Sequence, residues 1–247
     1  MKEDASYIWF RSDSSSLDKY LASADVVIVE RHRMLKILID IFSYHFEGQQ
    51  NLNMLDLGCG DGIVTKYIRE KYPHNAFSLM DGSIHMIEKA RQNQTGDNIS
   101  FIHKTFANYI ASPVNKQVYD FVYSAWAIHH LDIDGKKKLY AKVFGEMRSG
   151  GLFIVMDTVQ PSTERSEQWQ FRMWIDWMNE TLHTSGFENE VGKYDNIPNI
   201  YKNQDEDQPS PLFQQMDILT EVGFMDVDCF FKHGVFTLFG GTKLGCW

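Results

Sequence analysis

The sequence predicts an α/β fold, a three-layer sandwich in which helices cover both faces of a parallel sheet. Two observations predict it. From Asn53 to about Thr158, short apolar runs alternate with amphipathic stretches, which is the signature of βαβ units. The first of these runs passes directly into Gly58-Cys59-Gly60-Asp61-Gly62, a glycine-rich turn between a strand and a helix. A chain of 247 residues with 43% hydrophobic and 23% charged residues can build one large domain of this kind, and residues 1–247 read as a single domain.

The elements follow in order. Residues 1–48 read as a helical cap: Ser15 or Ser16 caps a short helix and Asp25 a longer one. In the longer one Ile28, Leu35, Leu38 and Phe42 recur near helical spacing, which outweighs the strand-like run Val26-Val27-Ile28-Val29. Met54–Leu57 is the first strand and Ile63–Lys71 the helix after it. Strands are expected at Phe77–Met80, Ile99–His103, Phe121–Ser124 and Leu152–Met156, with helices from about Ser83 to Arg91 and from Lys136 to Met147. Residues 160–212 interrupt the rhythm as a lid-like insertion. Its first half, Thr163 to His183, is helical and apolar on several sides, and its second half is polar and loop-like. A helix from about Phe213 to Val222 and strands at Asp226–Phe231 and Val235–Phe239 close the chain.

A formal net charge of -9 disfavours broad contact with nucleic acid, which calls for a concentrated basic face. Acids stand at Glu3 and Asp4, where a secretory signal needs bases, and no apolar run approaches the ~20 residues that span a bilayer. Cys59, Cys229 and Cys246 have neither paired nor zinc-like spacing, so a reduced cytoplasmic protein without a membrane partner is expected.

The glycine turn lets the backbone approach a ligand closely, and the helix after it favours an anionic group. A nicotinamide-type G-x-G-x-x-G needs a third glycine where Ile63 stands, so that fingerprint is not met. Asp81 ends the second strand about twenty residues on, where a carboxylate can accept both hydroxyls of a ribose.

With Asp56-x-Gly58-x-Gly60, Asp81, Asp120-Phe121-Val122, Ala127-Ile128-His129-His130-Leu131 and Arg148-Ser149-Gly150-Gly151, the chain resembles the class I S-adenosylmethionine (SAM)-dependent methyltransferases over roughly Leu35 to Met156. The resemblance resumes at Val222-Gly223-Phe224 and the closing strands. It implies a seven-stranded, mostly parallel sheet with the last strand antiparallel, and S-adenosylhomocysteine as product. It also implies roles. Gly58, Cys59 and Gly60 would run beside the methionine part of SAM, and Asp56 would orient the loop or the ammonium group. Asp81 would bind the ribose, with Gly82 and Met86 near the adenosine. Thr105 stands where the family often has an acid for adenine, with the Phe106 N–H as the other candidate. Ser124, Ala125 and Trp126 would border the sulfonium.

Methyl transfer needs a nucleophile held in line with the S–CH₃ bond, and water excluded. His129 and His130 are the candidate bases, because imidazole titrates near neutral pH and both lie just past the fourth strand. No third ligand stands at a useful spacing in the sequence, so a metal site from the pair is not expected. Candidate substrate contacts are Tyr20, Arg33 among Arg31-His32-Arg33, and Trp169 and Trp174 of the aromatic segment, which also suits core packing or a homodimer contact. The reading is a methyltransferase for an O or N atom of a small molecule. The closing Phe231-Lys232-His233 and Gly240-Gly241-Thr242-Lys243 resemble carboxy-SAM synthases, whose substrate-binding arginine is not found here. A tRNA-modifying methyltransferase and a SAM-binding module without chemistry are the remaining alternatives.

Overall fold

The computed structural model describes residues 21, 23–115, 118–203 and 207–244. The helix expected to be capped at Ser15 or Ser16, together with Tyr20 and Cys246, lies outside them. Seven strands form one sheet: β1 Asn53–Leu57, β2 Ala76–Asp81, β3 Ile99–His103, β4 Tyr119–Ala125, β5 Met147–Thr158, β6 Met225–His233 and β7 Phe236–Thr242. Their spatial order is β3-β2-β1-β4-β5-β7-β6. The first five pair in parallel and β7 runs antiparallel to both neighbours.

Alternation along the strands fills two cores. Phe121, Tyr123, Ile154 and Met156 point to one face, where they meet helices α1 Arg31–His45, α2 Ile63–Lys71, α3 Ile84–Asn93 and α6 Glu164–Thr184. Val122, Phe153, Val155 and Phe239 point to the other, against α4 Phe106–Ala111, α5 Ile133–Glu146 and α8 Leu212–Val222. A short α7, Ile197–Asn203, precedes α8. No helix among the described residues is long and apolar enough to cross a membrane.

Four expectations are corrected. The helix starting near Asp25 is two segments: residues 23–27 are helical, Glu30 turns left-handed at φ 54, and α1 restarts at Arg31. The apolar period runs through this break because both segments pack on the same core. β5 begins at Met147, since the Arg148–Gly151 stretch continues the strand through a register shift against β4. The insertion helix α6 buries one stripe, Gln170, Trp174, Met178 and Leu182, at four-residue spacing, and Trp169 is 62% exposed. The polar half of the insertion contains α7, whose Tyr201 hydroxyl meets Thr158 Oγ1 at 2.6 Å.

The antiparallel strand β7 lies tight against β5. A Cβ added at Gly240 would come 2.1 Å from the Phe153 carbonyl oxygen, so only glycine fits there. Gly240→Ala is expected to cost about 1–3 kcal/mol through overpacking, measured by denaturant unfolding.

Candidate functional site

β1 and β4 are neighbours, yet the chain leaves β1 for β2 and leaves β4 for β5 on the opposite side. Their carboxyl ends therefore part, and open α/β sheets bind ligands at such a point. A cavity of about 340 Å³ opens there, at the lower end of the ligand-pocket range of roughly 300–1,000 Å³. It runs from the loop after β1 to the underside of α6 and α7.

The cofactor-facing wall is built by the glycine turn. Gly58 is left-handed at φ 72, and a Cβ there would lie 2.3 Å from the Ala127 Cβ. The Gly58 and Cys59 amides donate to the Met80 carbonyl at 2.8 and 2.9 Å, tying the loop to the end of β2. Gly60 is left-handed at φ 54 with open space where a Cβ would project, and it lines the cavity. Asp81 joins the loops after β1 and β2, accepting the Gly60 amide at 2.9 Å and the Ser83 amide at 2.7 Å. Burial raises the Asp81 pKa, against the lowering effect of those amides. Asp56 is more strongly affected. Burial pushes its pKa up to about 7, although Thr65 Oγ1 donates to it at 2.7 Å, and the Asp81 charge adds to the rise.

Trp126 follows β4 in a left-handed conformation at φ 51, rare for a bulky residue and a mark of a functional position. Its indole Nε1 is buried without a hydrogen-bond partner. The Arg31 guanidinium lies 5.5 Å from its ring centroid while Nη1 pairs with Asp25 at 2.5 Å.

Beyond Trp126 lies a cluster of ionisable groups. His129 Nδ1 meets Asp157 Oδ1 at 2.6 Å, and Asp157 also accepts the amides of His129 and Thr158 at 2.9 and 2.8 Å. Asp207 Oδ1 stands 3.5 Å from His129 Nε2 and 3.2 Å from His130 Nδ1. Burial disfavours the His129 imidazolium, but the Asp157 charge and hydrogen bond outweigh it and the pKa is raised. For Asp157 burial acts upward, and His129 with the amide donors brings the pKa below its ordinary value. Lys136, fully buried, bonds the Leu131 carbonyl, the Gln208 carbonyl at 2.6 Å and Ser210 Oγ at 3.2 Å, and so fixes the Asp207 segment beside the histidines.

Of the residues assigned to SAM, all but Ser124 line this cavity. Ser124 is buried behind it, its hydroxyl donating to the Leu57 carbonyl at 2.6 Å. Thr105 Oγ1 accepts the Asn108 amide at 3.1 Å as the cap of α4. His129, His130 and Trp174 line the cavity; Trp169 and Arg33 do not. The Arg33 side chain is 63% exposed and lies over Phe231, while Arg31 faces inward in its place. The helix register decides this, because Glu30 rather than Asp25 sets the start of α1. The expectation that the histidines lack a third ligand partner is corrected by Asp207, which folding delivers from the far end of the insertion. Asp157 was equally hidden, as one acid at the end of an apolar strand.

A glycine loop and a strand-end carboxylate thus meet at the switch point of this sheet. The family model described as "Methyltransferase domain" matches residues 54–151. It is 24% identical over 208 residues to the carboxy-S-adenosyl-L-methionine synthase of Staphylococcus epidermidis, covering 84% of this chain and 83% of that one. It is 29% identical over 151 residues to the phosphoethanolamine N-methyltransferase of Plasmodium falciparum, covering 60% of this chain and 53% of the relative. The solved human N-acetylserotonin methyltransferase in complex with SAM shares the fold at a TM-score of 0.64 and 17% identity, over 99% of this chain and 60% of that one. The chain thus spans little more than half the length of the second relative and of the solved protein. The open cradle at Gly60 leaves room for a ligand against the loop backbone.

Asp157 holds three donors in a buried site. Asp157→Ala leaves them without an acceptor and is expected to destabilise the fold by about 3 kcal/mol in urea unfolding. An unchanged midpoint would contradict its placement.

Proposed function

We propose that the protein transfers the methyl group of SAM to an oxygen or nitrogen atom of a small-molecule acceptor. One observation carries this reading: a single cavity joins the glycine loop to a chamber bordered by His129, His130 and Asp207 beneath α6 and α7. SAM supplies a methyl group activated by its sulfonium charge. Gly58, Cys59 and Gly60 present backbone to its methionine part, and the Asp56 carboxylate faces the ammonium group. Asp81 has acceptor capacity left beyond its two amide bonds and takes the ribose hydroxyls. Gly82 and Met86 border the adenosine. The Thr105 hydroxyl is committed as an acceptor to the α4 cap, which favours the Phe106 amide for adenine.

Ala125 and Trp126 border the sulfonium end, next to the histidines. The acceptor's lone pair forms the new bond to the methyl carbon, and the electron pair of the S–CH₃ bond returns to sulfur. An acceptor hydroxyl passes its proton to the His129–His130–Asp207 cluster, whose imidazole and carboxylate groups can accept it. Residues 160–212 act as the lid, with Trp174, Ile197 and Tyr201 excluding water, and Ala24, Val27 and Ile28 close the other side. An acidic protein of net charge -9 suits a small acceptor better than a nucleic acid.

A second reading, carboxy-SAM synthesis, is favoured by the similarity that runs over 84% of this chain. The two differ in product. Mass spectrometry after incubation with SAM, an acceptor panel and a panel of carboxylic acids as carboxyl donors is expected to show S-adenosylhomocysteine and a methylated acceptor, whereas a carboxylated SAM would favour the synthase. Binding of S-adenosylhomocysteine without turnover on any acceptor would favour a module that only binds SAM.

Asp81→Ala is expected to weaken S-adenosylhomocysteine binding by tenfold or more in calorimetry, on the order of 1.4 kcal/mol, in a chain that circular dichroism shows to be folded. Unchanged affinity would refute the ribose assignment. His130→Ala is expected to lower kcat about 100-fold while leaving that affinity in place.

SAM affinity should also depend on pH through Asp56. Its carboxyl has a raised pKa of about 7, so it is ionised above pH 7 and protonated below. A cation at the site needs the ionised form, and affinity should fall roughly tenfold between pH 8 and pH 6 in wild type. The unliganded protein behaves oppositely. Folding favours the protonated carboxyl, so this group removes stability as pH rises from its ordinary 3.8 toward 7. Asp56→Asn is accordingly expected to flatten the pH dependence of binding and to raise the unliganded melting temperature at pH 8.

A further inference from the structure

The His129–Asp207–His130 cluster poses a problem of lone pairs. Asp157 takes the hydrogen bond at His129 Nδ1, at 2.6 Å, so a neutral ring carries its proton there and turns the Nε2 lone pair toward the cavity. What that lone pair faces is a carboxylate oxygen, Asp207 Oδ1, at 3.5 Å. The same oxygen stands 3.2 Å from His130 Nδ1. Yet among the described residues Asp207 Oδ1 is buried without a hydrogen-bond partner, on a side chain only 6% exposed. Buried carboxylate oxygens are normally satisfied, and an orphan calls for a missing positive partner.

The spacing suits a metal ion. Bonds of about 2.0–2.2 Å at tetrahedral angles place neighbouring donor atoms roughly 3.3–3.6 Å apart. The two measured separations from Asp207 Oδ1, 3.2 and 3.5 Å, lie in or beside that interval, and all three donor atoms fall within 4.8 Å of one another. The outer shell is in place as well. A ligating imidazole ordinarily donates its other N–H to a carboxylate, which fixes tautomer and ring orientation. Asp157 does this for His129 and is itself held by two backbone amides. The ligand segments are also fastened to each other, since the Gln208 amide donates to the His129 carbonyl at 2.7 Å and Lys136 grips the Gln208 carbonyl.

We infer that His129, His130 and Asp207 bind a divalent transition-metal ion of the zinc or ferrous type, with its remaining coordination position open to the acceptor chamber. Two histidines and one carboxylate are the donor set such ions take in sites that keep a position for substrate. This inference rests on the proposed reading of the chamber and deepens it. The acceptor's oxygen or nitrogen would occupy the open position, so the acceptor class is one with a metal-ligating hydroxyl or amine. The histidines then act on the nucleophile through the ion rather than as free bases.

The test uses Co²⁺ alone as the probe, on tag-free full-length chain stripped with a chelator and dialysed. Titration is expected to give one Co²⁺ per chain with visible ligand-field absorption. Asp207→Asn and His130→Gln should each weaken binding by tenfold or more, and Asp157→Asn by about 10–100-fold as a positioning residue. His183→Gln, an exposed histidine outside the cluster, should bind as wild type. Circular dichroism checks that each variant is folded, and the conservative Asp207→Glu should restore part of the absorption. Absence of ligand-field absorption, or equal affinity in folded Asp207→Asn, would overturn the inference. S-adenosylhomocysteine calorimetry on the same stripped sample separates the two claims: nucleoside binding without Co²⁺ binding removes the metal alone, and loss of both removes the reading beneath it.

Discussion

Gly58 meets the Ala127 Cβ so closely that a side chain there would lie 2.3 Å from it, and the site is arranged around that contact. The left-handed turn at φ 72 lets the loop after β1 fold against the loop after β4 without filling the gap between them. Because the turn stays tight, its amides reach the Met80 carbonyl, and Asp81 is left at the rim with its carboxylate bridging Gly60 and Ser83. The same contact sets Ala125 and Trp126 opposite the loop. A bulkier residue at 58 would push the carboxyl ends of β1 and β4 apart and dissolve the cradle, although the sheet itself would survive.

Electrostatics divides the cavity into two ends. At the loop end Asp56, buried, and Asp81, half-buried, are both held above their ordinary pKa values, an arrangement that costs stability in the unliganded protein. A sulfonium and an ammonium on one ligand answer that need directly. At the chamber end the carboxylates are answered by imidazoles and Lys136 instead, and the surrounding surface is apolar, from Trp174, Ile197 and Phe236. On the proposed reading, the charge that a methyl donor loses on reaction is handled at one end and the acceptor lies at the other. Trp126, with its strained backbone and unpartnered indole N–H, sits at the boundary.

The fold was legible because its signals are local. Met54–Leu57, the glycines after it and Asp81 lie within one βαβ unit, so period, turn chemistry and strand end could be read from neighbouring residues. The chamber was not legible in this way. Arg31 and Arg33 exchange roles because a single left-handed residue, Glu30, resets the helix phase, and nothing in the apolar spacing marks that break. Trp169 and Trp174 look alike in a segment rich in aromatics; only the stripe at 170, 174, 178 and 182 reveals which face is buried. Asp207 belongs to an acidic run typical of a solvated loop, and its meeting with His129 and His130 depends on Lys136 drawing the segment inward. Contacts made by chain-distant residues leave no period to read.

On the proposed reading, one nucleoside spans the carboxyl ends of β1, β2 and β4. A crystal structure of the chain grown with S-adenosylhomocysteine tests that most directly. The account predicts the ribose hydroxyls on Asp81, the amino-acid part along Gly58–Gly60, and the sulfur beside Trp126 facing His129 and His130. A nucleoside bound elsewhere, or this cavity closed by its own side chains in a chain that binds the ligand in solution, would contradict it.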